Sequence, residues 1–156
     1  MSLEIIAEAA QGYAGDNLSK ALALVDCAAA ARADAVKFQL VFADELCTED
    51  YVHFALFRSL EMSDAEWRVV AERALAREIR LYFDVFGSRS LRLADSLGIH
   101  GLKLHSTDLF NLSLIREVAQ ASTARVILSA GGAFDAEVDE AVSLLSGKDL
   151  VVMRAS

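Results

Sequence analysis

The sequence predicts an α/β fold whose parallel strands form a barrel of the TIM, or (β/α)8, type. Short runs of apolar residues alternate regularly with longer segments of helical periodicity along the 156 residues. Polar residues also stand at the carboxyl ends of several of these runs, where barrels of this type place their functional groups. A doubly wound nucleotide-binding fold would instead need a glycine-rich turn after the first strand, and the segment QGYAG at 11–15 has the wrong glycine spacing.

Six apolar runs are the predicted strands. Each is too short for a stable helix and rich in valine, isoleucine, leucine or phenylalanine, which is typical of a buried strand in a parallel sheet. They lie at residues 3–7, 35–40, 79–85, 101–104, 125–129 and 150–153.

Five helices are predicted between these strands. The first begins at a cap on Asp16 or Asn17 and runs to about Arg32. The second follows a capping box that begins at Ser63, and Leu75 belongs to its apolar face. Apolar residues at helical spacing indicate the other three: Leu91, Ala94 and Leu97; Leu112, Ile115 and Ala119; Val138, Ala141, Val142 and Leu145. The long connection at 41–62 is acidic and then aromatic, and we interpret it as a charged surface loop in preference to a lid.

Composition excludes several classes of protein. A 54% hydrophobic content argues against disorder, and no run of about 18 apolar residues lacks a charge, as a membrane span would require. The net charge of −8 argues against nucleic-acid binding. Cys27 and Cys47 have neither metal-site nor redox spacing, so we expect a cytoplasmic protein with Cys27 in its core.

Two lysines interrupt predicted buried strands. Strand alternation places Lys37 and Gln39 on one face of the second strand, and Lys103 and His105 on one face of the fourth. Because helices cover the outside of a barrel, both lysines are predicted to point into its mouth. A desolvated ammonium group is costly unless an anion pairs with it.

These lysines, together with Glu8, Ser106 and Ser129, predict an anion site for a small phosphorylated carboxylate. The alternative is a structural ion pair, for example between Glu8 and Lys37. His105 is interpreted either as a ligand or proton donor of this site or as a hydrogen-bonded core histidine.

Four segments resemble the N-terminal, phosphoenolpyruvate-binding barrel domain of the sialic acid (N-acetylneuraminate) synthase family. They are IAEAA at 6–10 followed by Gly15 and Asp16, ADAVKFQ at 33–39, KLHSTD at 103–108 with Asn111, and VILSAGG at 126–132. The four occur in the family's order and spacing and cover nearly the whole chain.

The resemblance implies a transferase that condenses phosphoenolpyruvate with an N-acyl-amino sugar to form a nonulosonic, sialic-type acid. In that reaction C3 of phosphoenolpyruvate attacks the carbonyl carbon of the sugar, water adds at C2 and phosphate leaves. The resemblance further implies a divalent metal, Mn²⁺ or Mg²⁺, that polarises the aldehyde. We also expect a homo-oligomer, in the form of a dimer.

Individual positions carry implied roles. The resemblance places Lys37, Lys103, Ser106 and Ser129 where the family holds the phosphate and carboxylate of phosphoenolpyruvate, and Glu8 where an acid acts in proton transfer. Asp108 and Asn111 stand at or near an acid and an asparagine of the family. The predicted site therefore has these members: Glu8, Lys103 and Asp108 as catalytic residues; Lys37, Gln39, His105, Ser106, Asn111 and Ser129 as substrate-binding residues.

The chain departs from the family pattern in three places. Gly12 and Tyr13 replace an Asn-His pair, and the segment beginning at Asp84 replaces Ser-Thr-Pro-Phe, so a phosphate-binding hydroxyl is missing. Met153 stands where the family has a metal-binding histidine, and a thioether is a poor ligand for Mg²⁺ or Mn²⁺. We therefore assign no metal ligand. A non-catalytic anion-binding relative and an unrelated Schiff-base aldolase are the alternative hypotheses.

The length leads to one more expectation. A complete (β/α)8 barrel needs about 250 residues. Residues 1–156 are therefore predicted to form a single domain that is the N-terminal portion of such a barrel, with open edges at its first and sixth strands. We expect either that the natural protein continues beyond Ser156, which we favour, or that another chain pairs with these edges.

Overall fold

The computed structural model describes residues 3–10, 16–121 and 124–154. In this part of the chain, strands and helices alternate. The strands are β1 (Ile6–Ala10), β2 (Ala35–Gln39), β3 (Arg80–Val85), β4 (Gly101–Leu104), β5 (Arg125–Ser129) and β6 (Leu150–Met153). The helices are α1 (Asn17–Ala30), α2 (Ala43–Leu46), α3 (Phe54–Leu60), α4 (Asp64–Ala76), α5 (Ser88–Ser96), α6 (Leu112–Ala121) and α7 (Asp135–Leu144), with a 3-10 turn at Ser106–Asp108.

The strands form one parallel sheet in chain order, β1-β2-β3-β4-β5-β6. Each strand therefore lies next to its neighbour in sequence, without the change of direction that marks a doubly wound sheet. The sheet is not closed within the described residues, because β1 and β6 are its two edges. This is the predicted α/β architecture, an incomplete barrel.

The main apolar core lies between one face of the sheet and the helices. Phe38 and Phe83 on neighbouring strands contact Trp67 of α4, with ring centroids 5.7 and 5.1 Å from that of the tryptophan. The opposite, concave face has a much smaller apolar cluster of Ala35, Tyr82 and Ile127. Since the helices cover only the outer face, the concave face is free to carry polar groups near the carboxyl ends of the strands.

The lower part of the concave face holds an ionic network. Glu4 accepts hydrogen bonds from the Tyr82 hydroxyl at 2.9 Å and from the Arg125 guanidinium at 2.5 Å, and it lies 2.9 Å from Arg80. Burial, followed by the hydrogen bond and charge of Glu4, raises the pKa of Tyr82 to about 12. Gly101 leaves room for this tyrosine, because a Cβ atom there would lie 1.9 Å from the Tyr82 ring. The network lies at the end of the concave face opposite the predicted site.

The predicted strands are confirmed, with one error in position. The bounds of β4, β5 and β6 agree with the prediction, whereas the first strand is Ile6–Ala10 and not 3–7. Leu3 and Ile5 are exposed, and the pairing starts where Ile6 meets Ala35. The first strand consequently continues through Glu8, which lies in its middle and not at its end.

The five predicted helices are confirmed, and two of the associated predictions are wrong. Leu75 is exposed at the end of α4. Cys27 is also exposed, because the buried stripe of α1 consists of Ala21, Val25 and Ala28 and excludes it. The caps are as predicted, since Asp16 accepts a hydrogen bond from the Ser19 amide at 3.0 Å and the Ser63 capping box is present.

The connection at 41–62 contains the two short helices α2 and α3, which the sequence did not predict. Its acidic residue Glu45 accepts hydrogen bonds from the backbone amides of Arg89 and Ser90 at 2.6 and 3.1 Å. The Glu45 carboxylate thus caps the N-terminus of α5 and attaches this connection to the carboxyl end of β3.

None of the helices in the described part of the chain is long and apolar enough to cross a membrane.

Candidate functional site

The strand register brings the charged residues of the concave face together. Glu8 pairs with Lys37 across β1 and β2, and Asp84 pairs with Lys103 across β3 and β4. Gln39 pairs with Asp84 across β2 and β3. Because paired residues of a parallel sheet point to the same face, these side chains share the concave side near the carboxyl ends of the strands.

Lys37 is the most deeply buried cation of this group, with 6% of its side chain exposed. Its ammonium nitrogen lies 2.8 Å from both carboxylate oxygens of Asp84 and 2.6 Å from Oε2 of Glu8. Three acceptors match the three N–H donors of a lysine. The protein itself therefore satisfies this ammonium group, and the predicted ion pair between Glu8 and Lys37 is present alongside a second one.

Asp84 is the centre of the cluster and is fully buried. It accepts hydrogen bonds from Lys37 and from Nε2 of His105, the latter at 3.0 Å, and Lys103 lies 3.8 Å away. Burial alone would raise the pKa of this carboxyl group. The hydrogen bond from His105 and the charge and hydrogen bonds of Lys37 outweigh burial and hold the pKa of Asp84 below its usual value.

Lys103 occupies a different environment from Lys37. Its side chain is 16% exposed, and the 3.8 Å separation from Asp84 is too long for a hydrogen bond. The two lysines do not lie on neighbouring strands, because β3 lies between β2 and β4. Asp84 on that intervening strand is the reason that both lysines still approach a common group.

Glu8 is held at the edge of the cluster. Its Oε1 accepts a hydrogen bond from the Ala10 amide at 3.0 Å, and half of the side chain is exposed. This carboxylate is thus more accessible than Asp84. The Glu8 carboxylate can therefore move away from Lys37 without becoming a buried charge.

The remaining predicted site residues lie after β4 and at the ends of β2 and β5. Ser106 and Asp108 belong to the 3-10 turn, and burial raises the pKa of Asp108 despite the opposing effects of His105 and Thr107. Asn111 is exposed, and its Oδ1 accepts a hydrogen bond from the Leu114 amide, which makes it a cap of α6.

Gln39 and Ser129 are the last residues of β2 and β5, and both are partly buried. Within the described residues, the structure shows no hydrogen bond from either side chain to the two lysines. Their place in the site therefore depends on the strand register alone.

The described residues do not provide a metal site. Within 3–10, 16–121 and 124–154, no group of three His, Cys, Asp or Glu side chains converges in a way that could hold an ion. Met153 on β6 offers only a thioether to Mg²⁺ or Mn²⁺. The donors present do not fit the metal that the family resemblance implies, and we derive no step through one.

Sequence reasoning missed the role of Asp84. Asp84 was placed at the end of the third strand and interpreted as the loss of a hydroxyl group, whereas the structure shows it as the counter-ion of the lysines. A signal was available, because Asp84 is a charged residue near the end of an apolar strand in the same pattern as Lys37 and Lys103.

The fold and this cluster define an α/β protein of the (β/α)8-barrel type with lysines and carboxylates at the carboxyl ends of its strands. The NeuB family model matches residues 24–156. The chain belongs to the NeuB family, which confirms the predicted resemblance.

Characterised relatives and solved structures agree with this assignment. SpsE, a spore coat polysaccharide biosynthesis protein of Bacillus subtilis, is 35% identical over 150 residues, which cover 88% of this chain and 39% of SpsE. N,N'-diacetyllegionaminic acid synthase of Legionella pneumophila is 30% identical over 141 residues, 81% of this chain and 39% of that enzyme. The N-acetylneuraminic acid synthetase of Leptospira borgpetersenii, solved with citrate, matches with a TM-score of 0.89 and 29% identity, covering 97% of this chain and 54% of that one.

A more distant match extends the fold comparison. The DAHP synthase of Thermotoga maritima matches with a TM-score of 0.72 at 9% identity, which shows a common fold alone. The chain spans between 39% and 54% of the length of the three closer relatives described above. Activity, substrates and partners of a whole protein are therefore matters for proposal.

Proposed function

We propose that this chain carries the phosphoenolpyruvate-binding portion of a synthase that condenses phosphoenolpyruvate with an N-acyl-amino sugar. Membership of the NeuB family supports this, as do relatives named as synthases of legionaminic and N-acetylneuraminic acid. The observation that carries the proposal is Lys103. Its ammonium group lies at the carboxyl end of the sheet, partly exposed, with its nearest carboxylate oxygen at 3.8 Å.

Lys103 is the cation that meets the incoming anion. Its ammonium group makes no short ion pair within the described residues, so its N–H donors remain available for a phosphate or carboxylate oxygen. Ser106 lies two residues after Leu104, the last residue of β4, and its hydroxyl is a neutral donor for the same ligand. The citrate bound by the Leptospira relative is likewise a carboxylate anion.

Lys37 contributes differently. Asp84 and Glu8 already accept the hydrogen bonds of the Lys37 ammonium. A ligand anion can therefore bind this ammonium only by displacing one of the two carboxylates. Glu8 is the one that can move, since it is half exposed and Asp84 is fully buried. Binding of phosphoenolpyruvate would then free Glu8 for the proton transfer that the family resemblance implies.

Asp108 is the second carboxyl group among the predicted catalytic residues, and we assign it to proton transfer as well. Burial raises its pKa, so it keeps a proton at higher pH than an exposed aspartate does. A protonated carboxyl group can donate to the sugar carbonyl oxygen as the new C–C bond forms. The complete proposal has an N-acyl-amino sugar as the second substrate and a homodimer located in the cytoplasm.

A second candidate, an anion-binding relative without turnover, is favoured by one observation. The described cluster pairs two lysines with two carboxylates, so its formal charge is balanced when His105 is neutral. A balanced site attracts a multiply charged anion less strongly than two unpaired lysines would.

Phosphate release separates the two candidates. Phosphoenolpyruvate is incubated with the chain and a panel of N-acyl-amino sugars, with and without Mn²⁺, and inorganic phosphate is measured. We expect sugar-dependent release that Glu8→Gln abolishes, while Glu49→Gln in the exposed connection retains it. Binding of phosphoenolpyruvate without release under any of these conditions would establish the second candidate instead.

A further inference from the structure

His105 and Asp84 form a pair of side chains that the proposed roles of the lysines do not explain. Nε2 of His105 lies 3.0 Å from Oδ2 of Asp84. The aspartate is fully buried, whereas 32% of the histidine side chain is exposed. A buried carboxylate that orients a partly exposed histidine is the arrangement that enzymes use to fix a general base.

The strand geometry produces this contact. Asp84 pairs with Lys103 across β3 and β4, and His105 lies two residues beyond Lys103 on the same face. The imidazole also packs against the ring of Phe86, with centroids 5.2 Å apart and planes tilted by 42°. The ring therefore has contacts on two sides, which limit its rotation.

The hydrogen bond determines which ring nitrogen is basic. The groups around Asp84 hold its pKa below the usual value, so its carboxylate is ionised and can only accept. Nε2 must then carry the proton, and Nδ1 of the neutral ring carries the lone pair. Within the described part of the chain, the His105 side chain makes no hydrogen bond other than this one.

A purely structural role leaves the contact unexplained. Asp84 does not need His105 as a counter-ion, because both of its oxygens already lie 2.8 Å from the Lys37 ammonium. His105 does not need this hydrogen bond either, because its side chain is too exposed to count as a buried polar group that requires a partner. What the pair adds is a fixed tautomer, with the lone pair of Nδ1 at the mouth of the barrel.

We propose that His105, positioned by Asp84, is the general base that activates the water in the reaction. This inference rests on the proposed function. The water oxygen bonds to C2 of phosphoenolpyruvate as its proton moves to Nδ1, and C3 bonds to the carbonyl carbon of the sugar, whose oxygen is protonated. The C2–O bond to phosphate then breaks, and the new C2 hydroxyl loses its proton as the keto group forms.

The protons balance over this sequence. The two protons of the water end on the new sugar hydroxyl and on the departing phosphate, and His105 is returned to its neutral state. In this assignment Asp84 is a positioning residue that never contacts the substrate. Glu8 and Asp108 remain available for proton transfer at the sugar carbonyl.

Nuclear magnetic resonance of the three histidine rings tests the pair directly. His53, His100 and His105 are assigned by single substitutions to glutamine, and long-range ¹⁵N correlations identify the tautomer of each ring. We expect neutral His105 with its proton on Nε2, and loss of this preference in Asp84→Asn. A ring with its proton on Nδ1 would overturn the inference whether or not the protein binds phosphoenolpyruvate.

Ligand addition and turnover complete the test. We expect phosphoenolpyruvate to shift the Nδ1 resonance of His105, and His105→Gln to lower kcat by roughly a hundredfold or more with a small change in KM. His53→Gln, an exposed position on another segment, is the matched control and should keep the activity. The other charged groups around the His105–Asp84 pair are Glu8, Lys37, Lys103 and Asp108. The acid limb of the pH profile of kcat is therefore assigned to His105 only if it disappears in His105→Gln.

The outcomes distinguish this inference from the proposed function. If phosphoenolpyruvate binds and phosphate is released at the wild-type rate by His105→Gln, the general-base role is wrong and the proposed function stands. If phosphoenolpyruvate does not bind at all, both are wrong.

Discussion

The Lys37 ammonium on β2 lies 2.8 Å from both carboxylate oxygens of Asp84 on β3, so the protein neutralises the deepest cation of its own site. Removing one member of a buried ion pair leaves an uncompensated charge, whereas removing both can be nearly neutral. The pair consequently fixes the charge and the shape of the concave face before any ligand arrives.

Substitution of one partner should be costly. We expect Asp84→Asn and Lys37→Met each to lower the free energy of unfolding by about 3 kcal/mol. The double variant should lose less than the sum of the two, because no buried charge is left. Chemical denaturation measures all three, with Asp139→Asn on the exposed side of α7 as the control. Additive losses would contradict a direct interaction between the two side chains.

Stability should also depend on pH through Asp84. Its pKa in the folded protein lies below the usual value of an aspartate, so the native state binds this proton less tightly than the unfolded chain does. The stability that Asp84 contributes is therefore fully present above about pH 4 and is lost as the pH falls through the lowered pKa. Denaturation curves between about pH 2 and pH 7 should show a smaller acid loss in Asp84→Asn than in the wild type. Parallel acid losses in the two proteins would show that another carboxyl group dominates.

Gly101 should not tolerate a side chain. A Cβ atom at this position would lie 1.9 Å from Cε1 of Tyr82, whose hydroxyl is fixed by Glu4. We expect Gly101→Ala to lower the free energy of unfolding by about 1–3 kcal/mol. A second substitution, Tyr82→Leu, should reduce the additional cost of the alanine because it removes the clashing ring atoms. The same cost of the alanine in both backgrounds would mean that the ring does not cause it.

Glu45 should hold the long connection against the sheet. Its carboxylate accepts hydrogen bonds from the Arg89 and Ser90 amides at the start of α5. We expect Glu45→Gln to lower stability by about 1 kcal/mol and to speed amide hydrogen exchange in the first turn of α5. Glu49→Gln removes the same charge from an exposed position of the connection and should change neither measurement. Unchanged exchange in Glu45→Gln would show that the cap does not stabilise this turn.

The sequence predicted those parts of the fold that depend on local patterns. The short apolar runs at β4, β5 and β6 have clear ends, and strand parity placed Lys37 and Lys103 on the concave face. Capping residues such as Asp16 and Ser63 act within one helical turn, so their identity is sufficient to locate a helix start.

The remaining features depend on contacts between distant residues. Lys37 and Asp84 are 47 positions apart, and nothing local indicates that the aspartate is the counter-ion. The start of β1 is set by its pairing with Ala35, and not by the apolar residues that precede it. The exposure of Cys27 likewise depends on which side of α1 meets the sheet, which an alanine-rich helix does not reveal.

Calorimetric titration of phosphoenolpyruvate is the most direct test of the proposed anion site. We expect the wild-type chain to bind it, Lys103→Ala to bind about tenfold or more weakly, and Arg116→Ala to bind as the wild type does, since Arg116 lies exposed on α6 and carries the same charge. Equal heats for the wild type and Lys103→Ala, or no heat for the wild type, would contradict the assignment of Lys103 as the anion-binding cation.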